Sequence, residues 1–122
     1  MSRTHISLDE IATARSGDKG NHANIGVVAY RRTGYEYLIS VLTEDVVAEF
    51  FEGLGAQRVQ RFELPNLWSL NFVLYDALGG GASRSLRIDT QGKLLGTAAL
   101  EIRLPCPDNL EDMLANGDER AT

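Results

Sequence analysis

The sequence predicts an α+β domain, with two or three helices packed on one face of a mostly antiparallel sheet of about five strands. Three observations predict it. Short runs rich in β-branched residues alternate with longer stretches of helical periodicity. Glycine- and proline-bearing turns separate the two kinds of run. Their order along the chain is strand, helix, strand, then helix, strand, strand.

The first run, residues 4–14, places Ile6 and Leu8 in alternation with polar residues, as in a half-buried strand. Ser7 with Glu10 fits a helix capping box equally well. Residues 24–31, NIGVVAYR, have the composition of a buried strand. Residues 34–54 predict helix, with Val46, Val47, Phe50, Phe51 and Leu54 on one apolar stripe. Thr43 is placed to cap a second helical segment, and Glu44 and Asp45 favour its positive end. Residues 57–63 predict a strand stopped by Pro65.

Residues 67–78 are apolar nearly all round, and are either a helix capped by Asn66 or a buried strand. Trp68, Phe72 and Tyr75 are expected in the core. Gly79-Gly80-Gly81 ends this segment. Ser85, Arg87 and Asp89 alternate with Leu86 and Ile88 as in a strand. Thr90-Gln91-Gly92-Lys93 then has turn chemistry, and residues 94–104 complete a predicted hairpin. This order of elements is compatible with a ferredoxin-like sandwich. The domain is placed at 1–106. Residues 107–122 are acidic and predict a mobile tail, although Leu110, Met113 and Leu114 have the spacing of a short docking helix.

The chain has 122 residues, a net charge of −5 and an isoelectric point near 4.9. An acidic surface repels phosphate backbones and anionic lipid, so neither nucleic acid nor membrane is an expected partner. No apolar run approaches the ~20 residues that cross a bilayer. Cys106 is the sole cysteine, and with His5 and His22 it makes no metal-ligand spacing. A cytoplasmic location without metal or cofactor is the resulting expectation.

Three segments carry polar residues beyond structural need. Arg15-Ser16-Gly17-Asp18-Lys19-Gly20-Asn21, running on to His22 and Asn24, is read as a loop between strands. Its glycines permit backbone that turns N–H groups inward to hold an anion. Lys19 adds positive charge, and Asp18 either holds Lys19 or acts as a base. The spacing is not that of a Walker phosphate loop. The second segment is Gly79-Gly80-Gly81-Ala82-Ser83-Arg84-Ser85, where Gly80 and Gly81 allow close approach and Arg84 and Ser85 donate to a carboxylate or phosphate. The third is Asn71, whose amide needs partners if it is buried. Arg87 lies on an exposed strand face. Asp18 and His22 stand four apart, but no serine or cysteine is placed to complete a nucleophilic triad.

The run ARSGDKGNHANIGVVA at 14–29 resembles the opening of the small C-terminal domain of the acyclic-terpene-utilisation (AtuA) family. Three further runs agree in order: LTEDVVAEFF at 42–51, RFELPNLWSLNFVLYDALGGG at 61–81 and SLRIDTQGK at 85–93. The resemblance implies a ferredoxin-like fold and a shared polar site. That site includes Arg15, Ser16, Gly17, Asp18, Lys19, Gly20, Asn24, Asn71, Gly79 to Gly81, Ser85, Arg87, Asp89, Gln91, Gly92 and Lys93. Asn21 stands where many relatives carry an aspartate. In longer members the domain follows a large N-terminal domain. Stand-alone relatives resemble products of genes beside those of acyl-CoA breakdown.

Three functions follow as expectations. One is a partner subunit for a larger AtuA-type or acyl-CoA-metabolising protein. Another is a small acid–base enzyme on an acyl-CoA or carboxylate ligand, with Asp18 moving the proton and Lys19, Arg84 and Arg87 holding anionic groups. The third is a structural domain that forms homo-oligomers.

Overall fold

The computed structural model describes residues 4–19, 22–56, 58–76 and 95–115. Strand β1 (His5–Ser7) leads into a single 3-10 turn at Leu8–Glu10, whose start is held by the Ser7 N–H donating to Glu10 Oε2 at 2.9 Å. Both expectations for this region are therefore met, by successive short pieces. Strands β2 (Ala12–Lys19) and β3 (His22–Ala29) form an antiparallel hairpin, in register from Ala12 opposite Ala29 to Lys19 opposite His22. Arg15 to Lys19 are thus strand residues. The expected anion-holding loop does not form from them, because they are extended and paired with β3 from Arg15 opposite Gly26 to Lys19 opposite His22.

The predicted long helix breaks in two. Helix α1 is Arg32–Val41 and α2 is Glu44–Phe50. Thr43 caps α2 as its chemistry suggests, with its hydroxyl accepting from Val46 N at 3.2 Å. Strand β4 (Arg58–Leu64) follows and ends before Pro65. Strand β5 (Ser69–Tyr75) is the nearly all-apolar segment, and it is a strand. Its ladder pairs on both sides, with β3 and with β4. A central strand tolerates apolar residues on both faces, which hides the period of two.

The predicted C-terminal hairpin is corrected. Leu95–Ala99 is helix α3, and only Arg103–Pro105 (β6) is extended. Strand β6 pairs with β1 in a separate two-stranded sheet. Residues 85–89 lie outside the described residues.

Among the described residues the main sheet has four strands in the order β2-β3-β5-β4, every neighbour antiparallel. Strands β3 and β4 run the same way and are joined through α1 and α2, with β5 inserted between them. This is the split strand–helix–strand unit of ferredoxin-like folds. The N-terminal hairpin supplies the remaining edge, β2.

Ala23, Ile25, Val27 and Ala29 of β3 and Leu70, Phe72 and Leu74 of β5 fill one face of the sheet. Helices α1, α2 and α3 pack on β3, β4 and β2 respectively. Gly96 brings α3 closest to the sheet. A Cβ there would lie 2.9 Å from the carbonyl carbon of Arg15. Two charged side chains bind α1 and α2 to β4. The Arg61 guanidinium donates to the carbonyls of Ile39 and Leu42, both at 2.9 Å. Glu44 accepts the Arg61 backbone N–H at 2.8 Å, satisfying part of an edge strand that would otherwise be open.

The mobile-tail expectation is also corrected where the chain is described. Leu110–Met113 forms a 3-10 turn, Met113 is 2% exposed, and Arg31 donates to the Glu111 carbonyl at 3.2 Å. The docking alternative is the one realised there. Trp68 and Tyr75 are not core residues either: Trp68 is 40% exposed and Tyr75 is half-buried on the opposite sheet face. No helix among the described residues is long and apolar enough to cross a membrane.

Candidate functional site

The helices cover one face of the sheet, and no described element lies on the other. Strand alternation decides what that other face presents. On it lie Arg15 and Gly17 of β2, His22, Asn24, Gly26 and Val28 of β3, and Asn71, Val73 and Tyr75 of β5. Gln60, Phe62 and Leu64 of β4 complete it. The register sorts them into rows. Arg15, Gly26, Asn71 and Phe62 stand side by side across four strands. Gly17, Asn24, Val73 and Gln60 form the next row.

Two glycines shape the surface. Gly17 and Gly26 lie on adjacent strands, one row apart, and neither carries a side chain to cover the backbone. A Cβ on Gly17 would approach Asn24 Oδ1 to 3.3 Å, and one on Gly26 would approach Asn71 Oδ1 to 3.8 Å. The amide oxygens of both asparagines therefore lie over the two glycines. The result is a depression of about 360 Å³ lined by Arg15, Ser16, Gly17, Asn24, Gly26 and Asn71, with Val28, Leu64, Ser69 and Leu70 at its apolar end.

Of the residues singled out by sequence, the structure thus gathers Arg15, Ser16, Gly17, Asn24 and Asn71. Ser16 takes part differently from expectation. Its hydroxyl accepts the Gly96 N–H at 2.7 Å and so ties β2 to α3. Asp18 and Lys19 are paired in the ladder with Ala23 and His22. Gly20, Gly80, Gly81, Arg84, Ser85 and Arg87 lie outside the described residues.

Sequence reasoning missed the polar group beside this depression. The Tyr75 ring receives the His22 ring edge-on at 5.1 Å and the Arg58 guanidinium at 4.4 Å. The Tyr75 hydroxyl donates to Gln60 Oε1 at 2.8 Å. His22 Nδ1 accepts the backbone N–H of Asp76 at 3.0 Å, which places the imidazole proton on Nε2. The signal for this group was the two-residue step from His22 to Asn24 and the four-residue step from Asn71 to Tyr75. Both steps put residues on one face only if the segments are strands.

A family model, the AtuA ferredoxin-like domain, matches residues 6–105. The chain belongs to this family. The match takes in the six described strands, save His5 at the start of β1, the three described helices and the described lining residues of the depression. None of the curated proteins or solved structures compared with the chain matches it. The family domain's name accords with the split strand–helix–strand sheet described above.

Chemically, the lining offers one guanidinium and two carboxamides. Together they can grip a carboxylate, a carbonyl or a phosphate oxygen while the apolar end receives hydrocarbon. The described lining residues supply hydrogen-bond donors and acceptors, which is what holding an anionic or carbonyl oxygen requires. No group of three potential metal ligands occurs among the described residues.

Proposed function

We propose that this chain is an accessory subunit in branched-chain or terpene-like acyl-CoA breakdown. Its sheet face opposite the helices docks a larger AtuA-type protein. The supporting observation is the four-stranded face that no described element covers, in which Gly17 and Gly26 hollow out a depression beneath Asn24 and Asn71. Exposed Phe62 and Leu64 border it on β4, at 42% and 41% exposure. Exposed Phe62 and Leu64 offer the apolar contact, aromatic residues being enriched at protein interfaces, and the hollow beside them offers hydrogen bonds. The large domain that precedes this one in longer family members gives the partner its expected form. Within that assembly the hollow holds an anionic oxygen of the acyl-CoA or of a partner side chain, through Arg15 and the two amides.

Co-expression of the chain with the larger AtuA-type protein, followed by size-exclusion chromatography, tests the reading. Co-elution at micromolar concentration is expected, and Phe62→Asp with Leu64→Asp should abolish it. Separate elution of the wild-type pair, or self-association of the chain alone through the same two residues, overturns it in favour of another assembly. An acid–base role rests on Asp18 alone. Turnover of a branched-chain acyl-CoA that is lost in Asp18→Asn would favour that second reading.

A further inference from the structure

On the other side of the molecule, where α1 meets the β4–β5 turn, a second cleft of about 550 Å³ opens between Arg32, Tyr35, Glu36 and Ile39 of α1 and Pro65, Asn66 and Trp68 of the turn. It shares no residue with the depression on the sheet. Two unusual features meet in it. Tyr35 is 5% exposed, and its hydroxyl is buried without a hydrogen-bond partner among the described residues. A hydroxyl left so is costly in an interior. Opposite it, Trp68 holds a left-handed backbone, φ 51° and ψ 42°. Glycine adopts that conformation without strain, whereas a bulky side chain does so at a cost. The indole nevertheless stands there, partly exposed, and walls the cleft.

The backbone around Trp68 is held from both directions, its N–H donating to the Pro65 carbonyl at 3.2 Å and its carbonyl accepting from Ala29 N at 2.9 Å. The turn is therefore anchored, and it fixes where the ring projects. Backbone strain held in place beside an unmet hydroxyl is a feature of ligand clamps, and here the buried hydroxyl is reached once the indole turns about its side-chain torsions.

We propose that this cleft is a binding site for a small, neutral compound with an apolar body and a carbonyl oxygen. The body fits against Trp68, Ile39 and Pro65, and the carbonyl oxygen accepts the Tyr35 hydroxyl as the indole shifts outward. A cavity of this size suits a small molecule. Neutrality follows from the surroundings. Burial first, and the Glu63 carboxylate second, keep the Tyr35 hydroxyl protonated and therefore a donor. The same carboxylate opposes an anion at the cleft floor. The two described cations near the cleft are both engaged: Arg32, in its lining, by Glu36 at 3.2 Å, and Arg61 by Glu63 at 3.0 Å and by two helix carbonyls.

Trp68 is the only tryptophan in the chain, so a ¹H–¹⁵N spectrum contains a single indole cross-peak. Titration with cyclohexanone as the probe is expected to move that peak saturably in the millimolar range. Tyr35→Phe should bind about fivefold more weakly, the worth of one neutral hydrogen bond, and should melt no lower than the wild type because it removes an unmatched hydroxyl. Cyclohexanecarboxylate should cause no saturable shift. An absent or non-saturating shift with cyclohexanone overturns the proposal. So does equal affinity in Tyr35→Phe, equal binding of the carboxylate, or a melting temperature several degrees lower in the Phe variant.

Discussion

Gly26 lies directly opposite Asn71 across the β3–β5 ladder, and a Cβ built on it would rest 3.8 Å from the Asn71 amide oxygen. That separation is ordinary van der Waals contact, and Gly26 has no positive φ. The glycine is thus not demanded by backbone geometry or by crowding. It leaves room.

Gly26→Ala should therefore stabilise the isolated chain, by roughly 0.5–1 kcal/mol, since glycine within a strand is costly relative to alanine. The same variant should weaken binding at the depression. Urea denaturation read beside partner co-elution would show the two effects moving in opposite directions.

Gly96 presents the contrary case. Its Cβ would meet the Arg15 backbone at 2.9–3.1 Å, where no side-chain rotation can relieve the clash. Gly96→Ala should cost about 1–3 kcal/mol by forcing α3 off β2, seen as a lower urea midpoint.

Arg61 closes the C-terminal end of α1 by donating to Ile39 and Leu42. Arg61→Met would leave both carbonyls without that donor, at a cost of about 1–3 kcal/mol. Arg61→Lys should recover only part of it, because Nη1 serves both carbonyls while Nη2 holds Glu63, and a single, shorter-reaching ammonium must replace both nitrogens. Equilibrium unfolding of the three proteins would rank them wild type, Lys, Met.

Burial holds the hydroxyls of Tyr35 and Tyr37 above the ordinary value of 10.0, with the Glu63 carboxylate adding to the effect at Tyr35 and Cys106 at Tyr37. The folded state keeps these protons more firmly than the unfolded chain does. Their contribution to stability is therefore complete below pH 10 and is lost as pH rises through the folded-state values. Absorbance at 295 nm should show these two tyrosines ionising late and together with unfolding. In Tyr35→Phe the alkaline loss of stability should be shallower.

Much of the architecture was legible because most segments declare a period. The stripe at Val46, Val47, Phe50 and Phe51 announced α2, Thr43 announced its start, and Pro65 announced the end of β4. Two segments misled for physical reasons. Strand β5 is central, and its face opposite the helices itself carries Val73 and Tyr75, so apolar residues occupy both sets of alternate positions. Leu95–Ala99 is too short for helical periodicity to show, and its small residues are selected by the close approach of α3 to β2. The depression was half legible. Arg15, Gly17, Asn24 and Asn71 stood out by type, but their meeting depends on a register that no local pattern displays. Gly26 and Gln60 were invisible until β2, β3, β5 and β4 were laid side by side, and His22, noted in the first polar run, had no visible partner in Tyr75.

The pairing of β1 with β6 joins His5 to Pro105, positions a hundred residues apart. Closing so long a loop is entropically costly, and the cost is offset only once the three ladder pairs and the flanking Cys106–Thr4, Leu8–Ile102 and Asp9–Leu100 backbone bonds have formed. This small clasp should thus be the last contact made as the chain folds and the first to loosen. Its opening would uncover Ile6 and Leu104 while the main sheet stays whole.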